Sequence, residues 1–245
     1  MSGKVYLVGI GPGSQEDMTY RAEDRIKRVG VVIGHKTCLK QVSQFITVQE
    51  IIAGVTPLER AEIAVNNALK GRDVAVVSSG DPGIYAIAST FFSYLKKKGV
   101  RLPVEVIPGV TAANTASALL GSPLGHDLAL ISLADLATPW SAIKRRLESA
   151  AEVDFVIVLY NPKGKTGDQR LQETIKILMT LRGKTTPVGI VTTAGENEKS
   201  QITILGDLSA SNIDNEAILI IGNSETFIFN GRMITPRAYK EGVGY

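Results

Sequence analysis

Four short segments hold the residue types that could bind a small charged ligand and set up chemistry on it. They are Gly9-Ile10-Gly11-Pro12-Gly13, Ser78-Ser79-Gly80-Asp81-Pro82-Gly83-Ile84-Tyr85, Val106-Ile107-Pro108-Gly109-Val110-Thr111-Ala112-Ala113 and Leu159-Tyr160-Asn161-Pro162. Each closes an apolar, β-branched run that reads as a strand. In open α/β sheets the carboxyl edge of the strands is where ligands bind. Glycines at such an edge admit positive φ and let a ligand approach the backbone.

The first segment invites a nucleotide reading, but its spacing is GxGxG and not GxGxxG. The second predicted strand ends in Gly34-His35, where a dinucleotide site needs an acidic residue for a ribose hydroxyl. Pro12 also removes one backbone N–H from any phosphate cradle. A dinucleotide oxidoreductase is therefore disfavoured, and a tight strand-to-helix turn stays open for this segment alone. In the second segment Asp81 and Pro82 read as an N-cap and N1 pair for the helix that follows. The Asp81 carboxylate would also sit well beside a cationic ligand such as a sulfonium or an α-ammonium, and the two roles can coexist. The third segment opens a helix rich in Ala, Ser and Thr, which permits close packing and leaves room for a ligand. The fourth, taken alone, is an ordinary Asn-Pro turn.

The elements that must position these segments alternate. Strands are expected at Lys4–Ile10, Val29–Ile33, Asp73–Ser78 and Pro103–Ile107, with helices at Glu16–Arg28, Pro57–Lys70, Gly83–Lys97 and Val110–Leu120. Alternation of this kind implies parallel pairing, because parallel strands need crossover connections. Glycines and a proline in Gly121–Asp127 mark a boundary, giving expected domains at 1–120 and 121–245. Beyond it, strands are expected at Leu128–Leu133, Asp154–Tyr160, Pro187–Thr193, Gln201–Leu208 and Glu216–Gly222, with helices near Thr138–Glu148 and Gly167–Leu181. Two of the last three strands have no helix between them, so the second sheet should be mixed. The fold class is α/β: a mostly parallel first sheet and a mixed second one.

Composition narrows the partners. The 245 residues are 44% hydrophobic and 21% charged, which excludes a disordered chain. The net charge of +3 comes from no long basic run. Lys96-Lys97-Lys98 closes a helix, where positive charge suits the dipole. No basic stripe with interleaved aromatics is present, so no nucleic-acid partner is expected. No apolar run reaches the length of a membrane span. Cys38 is the single cysteine, which rules out an intrachain disulfide and fits a reducing compartment. With no ligand-spaced neighbour it reads as a packing residue. A soluble cytoplasmic protein is expected.

In this order and spacing, GIGPGS, SSGDPGIYA, VIPGVTAANTASALLG and VLYNP resemble the tetrapyrrole methylases, a family that includes the precorrin methyltransferases of cobalamin synthesis, the uroporphyrinogen III methyltransferases and the diphthine synthases. SPLGHDLALISLADLATPW, DFVIVLYNPKGK, TPVGIVTTAG, IIGNS and MITPRAY look like the C17-methyltransferase branch. Glu196 departs from the pattern, standing where an arginine is common. The resemblance implies two α/β domains with a cleft between them, a homodimer, and S-adenosylmethionine as methyl donor, leaving as S-adenosylhomocysteine. It places donor contacts at Gly11, Pro12, Ser79, Gly80, Asp81, Ile84, Tyr85, Thr111, Ala112, Tyr160, Asn161 and Ala194.

It also implies methylation at C17 of precorrin-3B or of cobalt-factor III, coupled to ring contraction. A C11 or C20 precorrin methyltransferase is the alternative. The methyl transfer needs no metal and no nucleophilic side chain of the protein. Ring contraction calls for an acid or base, and His126, Asp127 and Asp135 in the branch-specific stretch are the candidates, with His35 behind them. A histidine suits the task because it titrates near neutrality. A linker histidine bonded to backbone is the competing role for His126, and a turn cap that for Asp127. The tetrapyrrole carries acetate and propionate carboxylates, for which Lys36, Lys144, Arg145, Lys163, Lys165 and Arg237 are candidate partners.

Overall fold

A run such as Val5-Tyr6-Leu7-Val8-Gly9, buried almost throughout, belongs in the middle of a parallel sheet covered on both faces. In the computed structural model, which describes residues 2–47, 49–134, 138–164, 167–192 and 198–237, it does so. The first unit, residues 1–112, runs β1 (Val5–Gly9), α1 (Tyr20–Arg28), β2 (Val31–Gly34), α2 (Lys36–Gln41), β3 (Glu50–Ala53), α3 (Pro57–Leu69), β4 (Val74–Ser78), α4 (Ile87–Lys98) and β5 (Val104–Ile107). Its strands lie in the order β3-β2-β4-β1-β5 and every pair is parallel. The registers Gly9↔Ser78 and Val8↔Ile107 bring the ends of β1, β4 and β5 side by side. One face packs on α3 and α4 through Leu7, Val76, Ala64 and Phe91, and the other on α1 and α2 through Val8, Val77, Ile26 and Leu39.

Local signals explain most helix ends. Thr56 and Glu59 form a capping box ahead of α3, with Pro57 in its first turn. Gly99 ends α4 at φ 65°. Two starts differ from the sequence expectation. α1 begins at Tyr20 and not Glu16, because Thr19 is the residue whose hydroxyl accepts the Ala22 N–H. α4 begins at Ile87 and not Gly83, so Asp81 and Pro82 are not its cap. The Asp81 carboxylate is taken by other backbone groups, described below. α2 and β3 are short and carry no period, and the sequence gives no signal for either.

The second unit, residues 113–245, takes in nearly all of α5 (Ala112–Leu120), followed by β6 (Gly121–Ser122), β7 (Leu128–Ser132), α6 (Trp140–Glu152), β8 (Val156–Tyr160), α7 (Asp168–Arg182), β9 (Pro187–Thr192), β10 (Lys199–Ile204), β11 (Ala217–Ile221), β12 (Phe227–Phe229) and β13 (Arg232–Ile234). α5 packs within this unit: a Cβ on Gly189 of β9 would fall 2.2 Å from the Leu120 side chain. The main sheet has the order β10-β9-β11-β8-β7. β7 and β8 are parallel, while β11 runs antiparallel to β8 and β9, and β9 to β10. This is the mixed sheet expected. Ile131, Leu159 and Leu219 pack against Leu147 of α6 and Leu171 of α7. β10 stops at Ile204 and not Leu208, because Leu205–Asp207 turns into a 3₁₀ helix whose Leu205 N–H finds Thr186 O at 2.9 Å. A separate ribbon, β12-β13-β6, turns at Asn230 and Gly231, with φ 48° and 70°. Among the described residues no helix is long and apolar enough to cross a membrane.

Candidate functional site

Where β1, β4 and β5 end, the chain closes on itself through backbone. Gly11 and Gly80 exchange hydrogen bonds: Gly80 N–H to Gly11 O at 2.8 Å and Gly11 N–H to Gly80 O at 3.3 Å. Both residues have left-handed φ, 77° and 62°. Gly109 is wedged beside them. A Cβ there would lie 2.2 Å from Gly80 O, and a Cβ on Gly9 would lie 2.6 Å from Gly109 N. These contacts require glycine, since an added methyl has nowhere to go. Asp81 then ties the second turn to the third: one carboxylate oxygen accepts the Gly83 N–H at 2.7 Å and the other the Gly109 N–H at 3.1 Å.

Three of the four segments are thus one connected edge. Around it Ser79 is exposed, and Pro12, Asp81, Ile84, Thr111 and Ala112 are half-buried. Tyr85 is 54% exposed at φ 50°, a strained setting for an aromatic residue. Cys38 lies beneath. Burial pushes its thiol up, partly offset by a hydrogen bond from the Ser79 backbone. A neutral, packed thiol results. His35 caps α2, its Nδ1 meeting Thr37 Oγ1 at 2.8 Å.

The second sheet carries the fourth segment at the carboxyl ends of β7 and β8. Ser132 pairs with Tyr160 in register. The Tyr160 ring is buried, and its hydroxyl accepts the Ala113 N–H at 3.1 Å, meeting one of the donors a helix start leaves without a partner. Asn161 takes φ 51° and its amide donates to Ser132 Oγ at 3.0 Å. Ser132 was missed as a site residue in the sequence; its only signal was a polar residue ending an apolar strand beside Tyr160.

The remaining candidates are scattered. His126 and Asp127 lie side by side, Nδ1 to Oδ2 3.5 Å, at the amino end of β7. The Asp127 carbonyl accepts the Val156 N–H, so both residues sit at the opposite edge of this sheet from Asn161. At about 3.3 Å per residue, the five residues of β7 put more than ~13 Å between those edges. Asp135, Ala194, Lys165 and Glu196 lie outside the described residues. Lys163 pairs with Asp168 at 2.8 Å and Lys144 with Glu148 at 3.9 Å. Lys36, Arg145 and Arg237 are exposed.

The family model for tetrapyrrole (corrin/porphyrin) methylases matches residues 4–209. The chain belongs to the tetrapyrrole methylases. Among other members of this methylase family, a Salmonella typhimurium protein named probable cobalt-factor III C(17)-methyltransferase is 39% identical over 236 residues, covering 95% of this chain and 98% of that one. A Priestia megaterium cobalt-factor III methyltransferase is 40% identical over 98% of this chain, which spans only 46% of that longer protein. The crystal structure of the methyltransferase CobJ superimposes with a TM-score of 0.90 at 28% identity, covering 96% of this chain and all of that one. A Thermus thermophilus uroporphyrin-III C-methyl transferase, solved with S-adenosyl homocysteine, shares the fold at a TM-score of 0.69 and 23% identity.

The glycine edge suits the methyl donor of such a methylase. It offers backbone polar groups, exposed Ser79 and Tyr85, and a carboxylate, Asp81, that is only half-buried and retains further lone pairs for a cation. That chemistry matches a ligand bearing a sulfonium and an α-ammonium.

Proposed function

We propose that this chain methylates C17 of a ring-contracting tetrapyrrole intermediate of cobalamin synthesis, with S-adenosylmethionine as donor and cobalt-factor III as acceptor. The observation that carries the reading is the closure of the β1, β4 and β5 turns on one another through Gly11, Gly80, Gly109 and Asp81, in a chain of this family. Full-length relatives named for cobalt-factor III favour that acceptor over precorrin-3B.

When bound, the donor supplies an electrophilic methyl group. The protein's part is to hold and align. Gly11, Pro12, Ser79, Gly80, Ile84, Tyr85, Thr111 and Ala112 are proposed to contact the donor largely by backbone, with Asp81 countering its positive charge. Tyr160 and Asn161, and Ala194 beyond the described residues, complete the set. Tyr160 is held by Ala113 and Asn161 by Ser132, so neither turn must reorganise on binding. Alignment of this kind can lower a barrier by about 7–11 kcal/mol without an acid, base or metal. For ring contraction His126, Asp127 and Asp135 stand as proposed acid–base residues. The placement of the first two at the far edge of their sheet makes His126→Ala the decisive variant. Unchanged ring-contracted product would remove His126 from the mechanism. A homodimer in the cytoplasm completes the proposal.

The test is mass spectrometry of the tetrapyrrole after incubation with S-adenosylmethionine, in parallel arms with cobalt-factor III and precorrin-3B. A gain of one methyl in the cobalt arm is expected. Turnover of precorrin-3B alone would move the assignment to the metal-free substrate, and no methyl in either would defeat it.

A further inference from the structure

The three-stranded ribbon β12-β13-β6 carries an edge that methyl transfer does not use. Its outer strand, Phe227-Ile228-Phe229, is exposed along its whole length, at 46%, 47% and 60%. Among the described residues β12 pairs with β13 alone, so its other edge is open. Residues that face each other across two strands share a face of the sheet. Ile228 lies opposite Met233, which is fully buried, so that face packs on the unit. Phe227 and Phe229, opposite Ile234 and Arg232, stand on the other face.

The turn decides which backbone groups are free. A two-residue turn at Asn230-Gly231 makes Phe229 and Arg232 a pair that exchanges hydrogen bonds, and the alternation of an antiparallel ladder repeats this at Phe227 and Ile234. The N–H and C=O of Ile228 therefore point to the open edge. Proteins that keep such an edge single blunt it with a lysine, a proline or a bulge. The residues of β12 include neither lysine nor proline, and its register with β13 runs without a bulge.

The strand is complementary to a second copy of itself. Antiparallel pairing about a two-fold axis at Ile228 lets the two Ile228 residues exchange N–H···O bonds. It also sets Phe227 of each copy against Phe229 of the other, giving two aromatic cross-strand pairs on one face. The charges agree with that direction. Exposed Glu225 precedes the strand and exposed Arg232 follows its turn. Antiparallel pairing brings Glu225 of each copy to the end where Arg232 of the other lies, so unlike charges meet at both ends. Parallel pairing would set like charges together.

We propose that β12 is the contact between two copies of this chain, joining their ribbons into one continuous sheet. This rests on the homodimer of the preceding reading and gives it a surface. A strand this short covers well under the ~800 Å² per partner of a standard interface. The dimer is therefore a weak one, with a dissociation constant on the order of micromolar.

The experiment is sedimentation equilibrium of the full chain from about 1 to about 100 µM, a range that spans such a constant. Wild type should pass from monomer to dimer. Ile228→Pro removes an N–H that β13 does not use, and should weaken the dimer by about 100-fold. Glu225→Arg should weaken it roughly ten-fold, because two attractions become two repulsions, and adding Arg232→Glu should restore it. A dimer that Ile228→Pro and Glu225→Arg leave unchanged would overturn this surface and leave the homodimer standing. A loss that the double charge reversal does not restore would overturn the antiparallel pairing. Wild type that stays monomeric throughout would overturn the surface and the homodimer together. If that monomer sedimented with phosphatidylglycerol vesicles, and a Phe227→Ser, Phe229→Ser variant did not, the strand would be a lipid contact instead. Should Ile228→Pro fail to fold, the charge reversal carries the same comparison.

Discussion

The carboxyl edges of the two sheets are built from different material. Where β1, β4 and β5 end, Gly9, Gly80 and Gly109 touch backbone to backbone, and one carboxylate, Asp81, pins the turns together. Where β7 and β8 end, the contacts are made by side chains, Tyr160 to the start of α5 and Asn161 to Ser132. The first edge fixes a surface by excluding Cβ atoms and so tolerates almost no change at its glycines. The second fixes it by polar contacts that can be altered one at a time.

The sharpest way to break this contrast is Gly109→Ala. Its methyl would lie 2.2 Å from Gly80 O, so the turns must separate, and affinity for S-adenosylhomocysteine should fall by about 100-fold or more in calorimetry. A variant that binds like wild type would show that the close packing is incidental. Asp81→Ala comes next. It removes the acceptor for the Gly83 and Gly109 N–H groups and the negative charge, for an expected loss of roughly 10–100-fold, while Asp81→Asn should recover part of it. Full recovery by asparagine would assign Asp81 to turn geometry alone.

At the second edge Tyr160→Phe leaves the Ala113 N–H without its acceptor. Thermal unfolding should show a loss of about 1–3 kcal/mol, with a smaller effect on donor affinity than Gly109→Ala. The smallest effect belongs to a contact away from both edges. Glu105 on β5 meets Lys4 and Arg21, each at 2.5 Å, and these two cations hold its carboxyl down at about 2, below its ordinary 4.5. A depressed carboxyl stabilises the fold above its unfolded value. The contribution should therefore be complete above about pH 4.5 and fade as pH falls towards 2. The melting-point gap between wild type and Glu105→Gln should shrink over that window and with added salt, leaving donor affinity unchanged.

Much of this was legible in the sequence because the signals are local. Buried strands read as continuous apolar runs, and the order of four glycine- and proline-marked strand ends pointed to the family. The parallel first sheet and mixed second sheet followed from where helices intervene. What stayed hidden depends on contacts distant in the chain. Asp81 looked like a helix cap because Pro82 follows it, yet its oxygens serve Gly83 and Gly109 while α4 starts at Ile87. Ser132 and Tyr160 become neighbours only through strand register. His126 and Asp127 drew attention by motif, but the direction of β7 carries them to its amino end. No spacing in the sequence could stack Arg170 on Trp140 across two helices.

The central claim is that the glycine edge holds a bent sulfonium donor, and its most direct test is a calorimetric titration of the intact chain with S-adenosylhomocysteine. The account predicts saturable binding with a dissociation constant on the order of micromolar, lost in Gly109→Ala. Absence of heat at millimolar ligand would contradict it.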